Sequence, residues 1–251
     1  HETGANASAL RVSYPTSHIE DLQCKNLRII QNKNYYTFTS DSVILANFIK
    51  LKKSDVCAEI GTGCGVIPIL LSAKTEFDKV NAFELQDEMA RLAEKNVLFN
   101  DLEDKIVVVS DDVRNFRQHF NAESFDVVFS NPPYMRGDTA RNASSIRDKA
   151  RHDESLPIGD LCKTAYSMLK FGGRFFVVYS ASRSAELIYT LMENNLEPKK
   201  MFFTENGKGK IVLVVIEAVK GGKHGVEVLP QLQTNDAKGD YLELLRTKYF
   251  V

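Results

Sequence analysis

Between residues 55 and 218, short apolar and β-branched runs alternate with longer segments whose apolar positions recur at helical spacing. That is the pattern of strands and helices taking turns in a parallel sheet. The runs predict strands over Val56 to Ile60, Lys79 to Glu84, Ile106 to Ser110, Phe125 to Ser130 and Arg174 to Tyr179. The segments between them predict helices over Val66 to Lys74, Gln86 to Asn100 and Pro157 to Leu169, with a short turn near Val113 to Phe120. Gly172-Gly173 is expected to end the last of these helices.

A further helix is expected over Ser182 to Asn195, followed by strands over Lys199 to Thr204 and Lys210 to Glu217. Asn206-Gly207 between them predicts a tight turn, so this last pair is antiparallel. The expected fold is α/β, with a mostly parallel sheet ending in an antiparallel strand. Upstream, "LRIIQNKNYYTFT" predicts a small hairpin turning at Asn32 to Asn34, and Ser40 or Asp41 is suited to cap a helix over Ser42 to Lys50. Downstream, "DYLELLRTKYF" has the spacing of a docked C-terminal helix, about 237–249. Residues 1–18 are expected to be a disordered tail or an expression remnant. Residues 19–251 are expected to form one domain, with the hairpin and helix at about 25–52 docked on it.

The 251 residues suit one such domain, and 43% hydrophobic with 26% charged excludes a disordered chain. The longest apolar run, Ile211 to Ile216, is far short of the roughly 20 residues of a membrane-spanning helix, and no signal peptide is read. A cytoplasmic protein with no membrane contact and no obligate protein partner is expected. Cys24, Cys57, Cys64 and Cys162 form no C-x-x-C pair, so reduced thiols are expected. The five histidines are equally scattered, and no metal is expected. The net charge of -1 is a sum, and local patches decide nucleic-acid binding.

Candidate chemistry begins in "CAEIGTGCGVIPIL". Gly61, Gly63 and Gly65 let the backbone approach a ligand, and the following helix N-terminus favours negative groups. The spacing is G-x-G-x-G rather than G-x-G-x-x-G, which argues against a dinucleotide. Glu84 ends the second strand, where a carboxylate can accept both hydroxyls of a ribose; Asp112 follows the third, where it can accept from an adenine amino group. The series suits an adenosine nucleoside without a diphosphate, such as S-adenosylmethionine.

Asn131-Pro132-Pro133-Tyr134 follows the fourth strand. Each proline holds the residue before it extended, with its carbonyl outward. The Asn131 side-chain carbonyl and the Pro132 main-chain carbonyl can together accept both hydrogens of one planar amino group. Such an amine is a poor nucleophile, so two fixed acceptors would align it for methyl transfer without a strong base. Tyr134 offers a face on which a flat substrate can stack.

"EIGTGCG", "FELQ" and "NPPY" resemble the class I S-adenosylmethionine-dependent amino-methyltransferases. "DLQCKNLRIIQ", "FTSDSVILANFI", "DKARHDESLPIGDLCKTAYSMLKFGGRFFVV", "LEPKKMFF" and "EAVKGGKHGVEVLPQL" narrow the resemblance to bacterial methyltransferases that form N6-methyladenosine at position 37, next to the anticodon of valine tRNA. The similarity runs from about Ile19 to Leu232. It implies a Rossmann-like class I methyltransferase fold with a seven-stranded sheet and a C-terminal antiparallel hairpin. It further implies catalysis by Asn131, Pro132, Pro133 and Tyr134. Cofactor contacts are implied at Thr39, Glu59, Gly61, Thr62, Gly63, Gly65, Glu84, Leu85, Asp111, Asp112, Val113 and Asn131, with Thr39 near the methionine end.

Arg136, Arg141, Arg147, Lys149 and Arg151 face only Asp138 and Asp148 in the segment after this motif, which suits binding of RNA phosphates at a tRNA anticodon loop. Lys208 and Lys210, with Lys199, Lys200, Lys220 and Lys223, form a second basic group around the last hairpin and Gly221-Gly222. Three alternatives stay open. Glutamine methyltransferases of release factors share the Asn-Pro-Pro-Tyr motif but carry a helical N-terminal domain for which the stretch ahead of the glycine loop is expected to leave no room. A DNA adenine methyltransferase would need a target-recognition segment. A non-catalytic cofactor- or RNA-binding module would not need an intact motif.

Overall fold

The computed structural model describes residues 17–32, 37–133 and 156–234. Its strands are β1 (Ser17–Asp21), β2 (Arg28–Asn32), β3 (Val56–Ile60), β4 (Lys79–Glu84), β5 (Ile106–Ser110), β6 (Phe125–Ser130), β7 (Leu169–Ser180), β8 (Leu196–Asn206), β9 (Ile211–Lys220), β10 (Glu227–Val228) and β11 (Leu232–Thr234). The helices are α1 (Ser40–Phe48), α2 (Val66–Lys74), α3 (Asp87–Phe99), α4 (Ile158–Met168) and α5 (Ser184–Glu193). A 3-10 helix covers Val113–Gln118 and a second one, Ala181–Arg183, leads into α5.

Strands β3, β4, β6 and the Phe175 to Tyr179 part of β7 are buried on both faces, which is why they read as largely apolar runs. The main sheet runs β10-β8-β9-β7-β6-β3-β4-β5, with β11 beside β8. Strands β5, β4, β3, β6 and β7 are mutually parallel, and β9 is antiparallel to both β7 and β8. Strands β3 to β9 make up the expected seven-stranded, mostly parallel sheet with its antiparallel end, and β10 and β11 add two short parallel pairings at the β8 edge. Two apolar layers cover the sheet: α1, α2 and α3 with β2 on one face, and the first 3-10 helix with α4 and α5 on the other.

The order reverses at β3, whose neighbours are β4 on one side and β6 on the other. Open α/β sheets bind ligands outside the carboxyl ends of the strands at such a point. Buried Asn96 on α3 ties this edge together: its amide donates to the Cys64 carbonyl at 2.8 Å and exchanges hydrogen bonds with both backbone groups of Ile30.

Residues 33–34 of the turn expected at Asn32 to Asn34 lie outside the described residues, and Arg28–Asn32 pairs back onto Ser17–Asp21 in a hairpin that turns at residues 22–27. Gln23, Lys25 and Asn26 all take left-handed backbone there. Helix α1 begins at Ser40 with Thr39 as its N-cap, so neither Ser40 nor Asp41 caps it. Gly172-Gly173 does not end α4, which stops at Met168; the pair lies inside β7 beside a register shift against β6. A Cβ on Gly173 would stand 2.8 Å from the Lys170 carbonyl, so the bulge itself needs the glycine. The β8-β9 connection is a four-residue loop, 207–210, whose left-handed residue is Gly209. The expected helix at about 237–249 lies outside the described residues. Among the described residues no helix is long and apolar enough to cross a membrane.

Candidate active site

The carboxyl ends of β3, β4, β5 and β6 surround a cavity of about 360 Å³. Of the residues singled out in the sequence, Thr39, Glu59, Gly61, Thr62, Gly63, Glu84, Leu85, Asp111, Asp112, Val113, Asn131, Pro132 and Pro133 line it. Gly65 does not. It caps the start of α2 with φ of +85°, a left-handed conformation natural to glycine, and packs against the Ala93 backbone. Tyr134, Arg136, Arg141, Arg147, Lys149 and Arg151 lie outside the described residues.

The glycine loop is tied to the end of β4. Gly61 and Thr62 donate to the Phe83 carbonyl, each at 2.9 Å, and Gly63 donates to Glu84 Oε2 at 2.8 Å. Glu84 Oε1 accepts from the Gln86 N–H at 3.0 Å. Burial raises the Glu84 carboxyl above the usual carboxylate range, and these amide hydrogen bonds pull it partly back.

Glu59, at the floor, is fully buried. Its Oε2 accepts from the Thr62 hydroxyl, whereas Oε1 has no hydrogen-bond partner. Desolvation pushes this carboxyl up to about 8, opposed by the Thr62 hydrogen bond and assisted by the nearby Glu84. A buried acceptor with an open lone pair beside a glycine-rich turn fits a ligand carrying a positive group.

Asp111 and Asp112 are already engaged. Asp112 accepts from Arg114 at its backbone N–H, Nε and Nη2, the last at 2.5 Å, and this arginine holds its carboxyl below the usual range. Asp111 accepts from Asn115 at 3.0 Å and faces His119 Nε2 at 2.8 Å, and the histidine contact chiefly lowers its carboxyl. An adenine amino group at Asp112 would therefore share the carboxylate with Arg114.

Asn131 leaves β6 at the opposite wall. Its Nδ2 donates to the Ser42 hydroxyl of α1 at 2.9 Å, and its Oδ1 takes no hydrogen bond from a described residue. Sequence reasoning missed Ser42 along with Phe38, Asp41, Gln86, Met89 and Leu156, which also line the cavity. Phe38 to Ser42 lie within the "FTSDSVILANFI" stretch that carried the family resemblance, from which only Thr39 was taken.

The second basic group divides. Leu213 pairs with Ser180 at the carboxyl end of β7, so the loop bearing Lys208 and Lys210 lies on the same sheet edge as the cavity. Lys220 is at the other edge and nearly buried, donating to Glu123 at 2.7 Å and to the Tyr166 and Leu169 carbonyls at 2.8 Å. Lys199 donates to the Lys223 and Gly225 carbonyls. Lys220 and Lys199 are thus structural fasteners rather than a basic patch with Lys208.

Residues 37–211 match the family profile described as Methyltransferase small domain. A tRNA1(Val) (adenine(37)-N6)-methyltransferase of Bacteroides fragilis (strain YCH46) is 24% identical over 90% of this chain and 96% of its own. The protein of the same name from Bacteroides thetaiotaomicron is 26% identical over the same shares. The crystal structure of a predicted O-methyltransferase from Agrobacterium tumefaciens superposes with a TM-score of 0.62 at 19% identity, covering 79% of this chain and 89% of that one.

Proposed function

The chain belongs to the methyltransferase small domain family, and from that premise we propose that it methylates the exocyclic N6 amino group of an adenosine in tRNA, at position 37 of a valine tRNA. It is an S-adenosylmethionine-dependent methyltransferase of class I fold. The tRNA target is supported by the names of the two Bacteroides relatives, which align over nearly their whole length. As an enzyme of tRNA it would act in the cytoplasm.

The observation that carries the chemistry is Asn131, which stands at the cavity wall with Oδ1 open while Nδ2 is held by Ser42. S-adenosylmethionine, when bound, supplies a methyl group made electrophilic by its sulfonium. The Gly61 to Gly63 backbone and the unpartnered Glu59 Oε1 would hold its methionine end, beside Thr39. Glu84 would take the ribose hydroxyls, with Leu85, Asp112 and Val113 around the adenine.

Asn131 Oδ1 and the Pro132 carbonyl would each accept one hydrogen of the target amine, turning its lone pair toward the methyl. The two acceptors would hold the amine in place as its nitrogen gains positive charge, and the proton made acidic by that charge would leave to solvent. Pro133 fixes the turn, and Tyr134 would stack on the adenine flipped out of the anticodon loop. Phosphate contacts are assigned to Arg136, Arg141, Arg147, Lys149, Arg151, Lys208 and Lys210.

The same pair of acceptors would fit a glutamine side-chain amide. Offering unmodified bulk tRNA and a release factor to the protein with labelled cofactor distinguishes them. Label in RNA alone supports the tRNA reading; label in protein alone refutes it.

A further inference from the structure

Asparagine has two ends of nearly equal shape, one an acceptor and one a double donor. Which end faces the cavity decides whether an incoming amino group meets a partner or a second donor. Asn131 sits in a chain segment followed by two prolines, neither of which has an N–H to hold its side chain. The hold comes instead from 89 residues away: Ser42, 4% exposed in the first turn of α1, receives Nδ2 at 2.9 Å.

We propose that Ser42 is a positioning residue for methyl transfer, tethering the Asn131 side chain to α1 in the pose that leaves Oδ1 to the amino group to be methylated. This rests on the reading of Asn131 given above. Ser42 stands in the wall of the same cavity, and its own N–H is engaged by the Thr39 carbonyl at 3.1 Å. Backbone and hydroxyl are therefore both placed before any substrate arrives. Without the hydroxyl that tether is lost and the side chain can swing away or turn over, the turned state setting Nδ2 against the substrate amine, donor against donor. Ser42 thus acts on the reacting geometry and on neither the cofactor nor the tRNA backbone.

The test has two readouts. In 15N-labelled, cofactor-bound protein, the Asn131 side-chain amide resonances, identified by their loss in Asn131→Ala, exchange slowly with solvent; in Ser42→Ala they move and exchange faster. In turnover with tRNA, Ser42→Ala lowers kcat about tenfold, the factor expected for one hydrogen bond, with cofactor Kd and tRNA KM within about twofold. Ser42→Thr, which keeps the hydroxyl, restores most of kcat. Unmoved Asn131 resonances in Ser42→Ala overturn the proposal. So do moved resonances with unchanged kcat, and so does a loss expressed in cofactor Kd alone. Should the unsubstituted protein methylate a glutamine acceptor and no RNA, the tRNA reading fails, and the same kcat comparison on that acceptor decides the Ser42 proposal.

Discussion

The Gly63 amide donates to Glu84 Oε2 at 2.8 Å, joining the loop after β3 to the last residue of β4. The carboxylate proposed to receive the ribose is therefore also the one that shapes the glycine loop. Glu84→Ala should weaken cofactor binding by more than the two ribose hydrogen bonds alone, at least about 30-fold, whereas Glu84→Gln, which keeps one acceptor, loses less. Calorimetric titration with S-adenosylhomocysteine checks both. Equal affinities for all three proteins would separate Glu84 from the cofactor.

Glu59 gives a pH signature. Its folded pKa, about 8, is raised from 4.5 by burial, so the folded state keeps a proton that the unfolded chain gives up. The associated stability is fully present below the unfolded value and is lost as pH rises through the folded one. Between about pH 5 and pH 8 the melting temperature of the ligand-free protein should fall less steeply in Glu59→Gln than in the unsubstituted protein. A cationic ligand favours the ionised carboxylate, so cofactor binding near pH 7 should release protons, visible as a buffer-dependent binding enthalpy that Glu59→Gln abolishes.

Two glycines should separate ligand binding from folding. Gly61 has φ of +75° and open space where a Cβ would stand, so Gly61→Ala carries only backbone strain of about 1 kcal/mol. Because Gly61 lines the cavity, cofactor affinity should still drop. Gly173→Ala would force a Cβ to 2.8 Å from the Lys170 carbonyl and 3.2 Å from that of Asp126. It should cost about 2 kcal/mol or more in thermal stability and leave cofactor affinity unchanged. Melting curves and titrations on both variants measure the contrast.

Binding of RNA phosphates should appear in salt dependence. Removing charge at Arg136 and Arg141 should weaken tRNA binding and flatten its dependence on salt, by about 0.7–0.9 in log–log slope for each phosphate no longer neutralised. Replacing Lys208 and Lys210 should act in the same direction, since their loop shares the cavity's edge of the sheet. Replacing Lys199, which is bonded to the Lys223 and Gly225 carbonyls on the other edge, should leave the slope unchanged. Filter binding at several salt concentrations checks this set.

The strands nearest the cavity were legible because burial on both faces leaves no polar alternation to misread: Val56–Ile60, Lys79–Glu84 and Phe125–Ser130 fall where their apolar runs place them. The glycine loop and the acidic strand ends were legible as an ordered series. Local signals failed where a distant segment decided the outcome. The hairpin of β2 with the strand before it went unread because three left-handed non-glycine residues make its turn. Gly172-Gly173 has the form of a helix end, but the neighbouring β6 backbone makes it a bulge. Arg114 on Asp112 and Ser42 on Asn131 were missed for different reasons. The first is a choice of side-chain rotamer two residues along, and the second spans 89 positions.

The proposed role of Asn131, presenting the amino group of tRNA adenosine 37 to the methyl of S-adenosylmethionine, can be tested by incubating the protein with labelled cofactor and valine tRNA transcripts carrying A37 or G37, then digesting to nucleosides for mass spectrometry. N6-methyladenosine is expected from the A37 transcript alone, with a loss of at least about 100-fold in Asn131→Ala and cofactor affinity retained. N6-methyladenosine formed at an undiminished rate by Asn131→Ala, or equally from the G37 transcript, would contradict it.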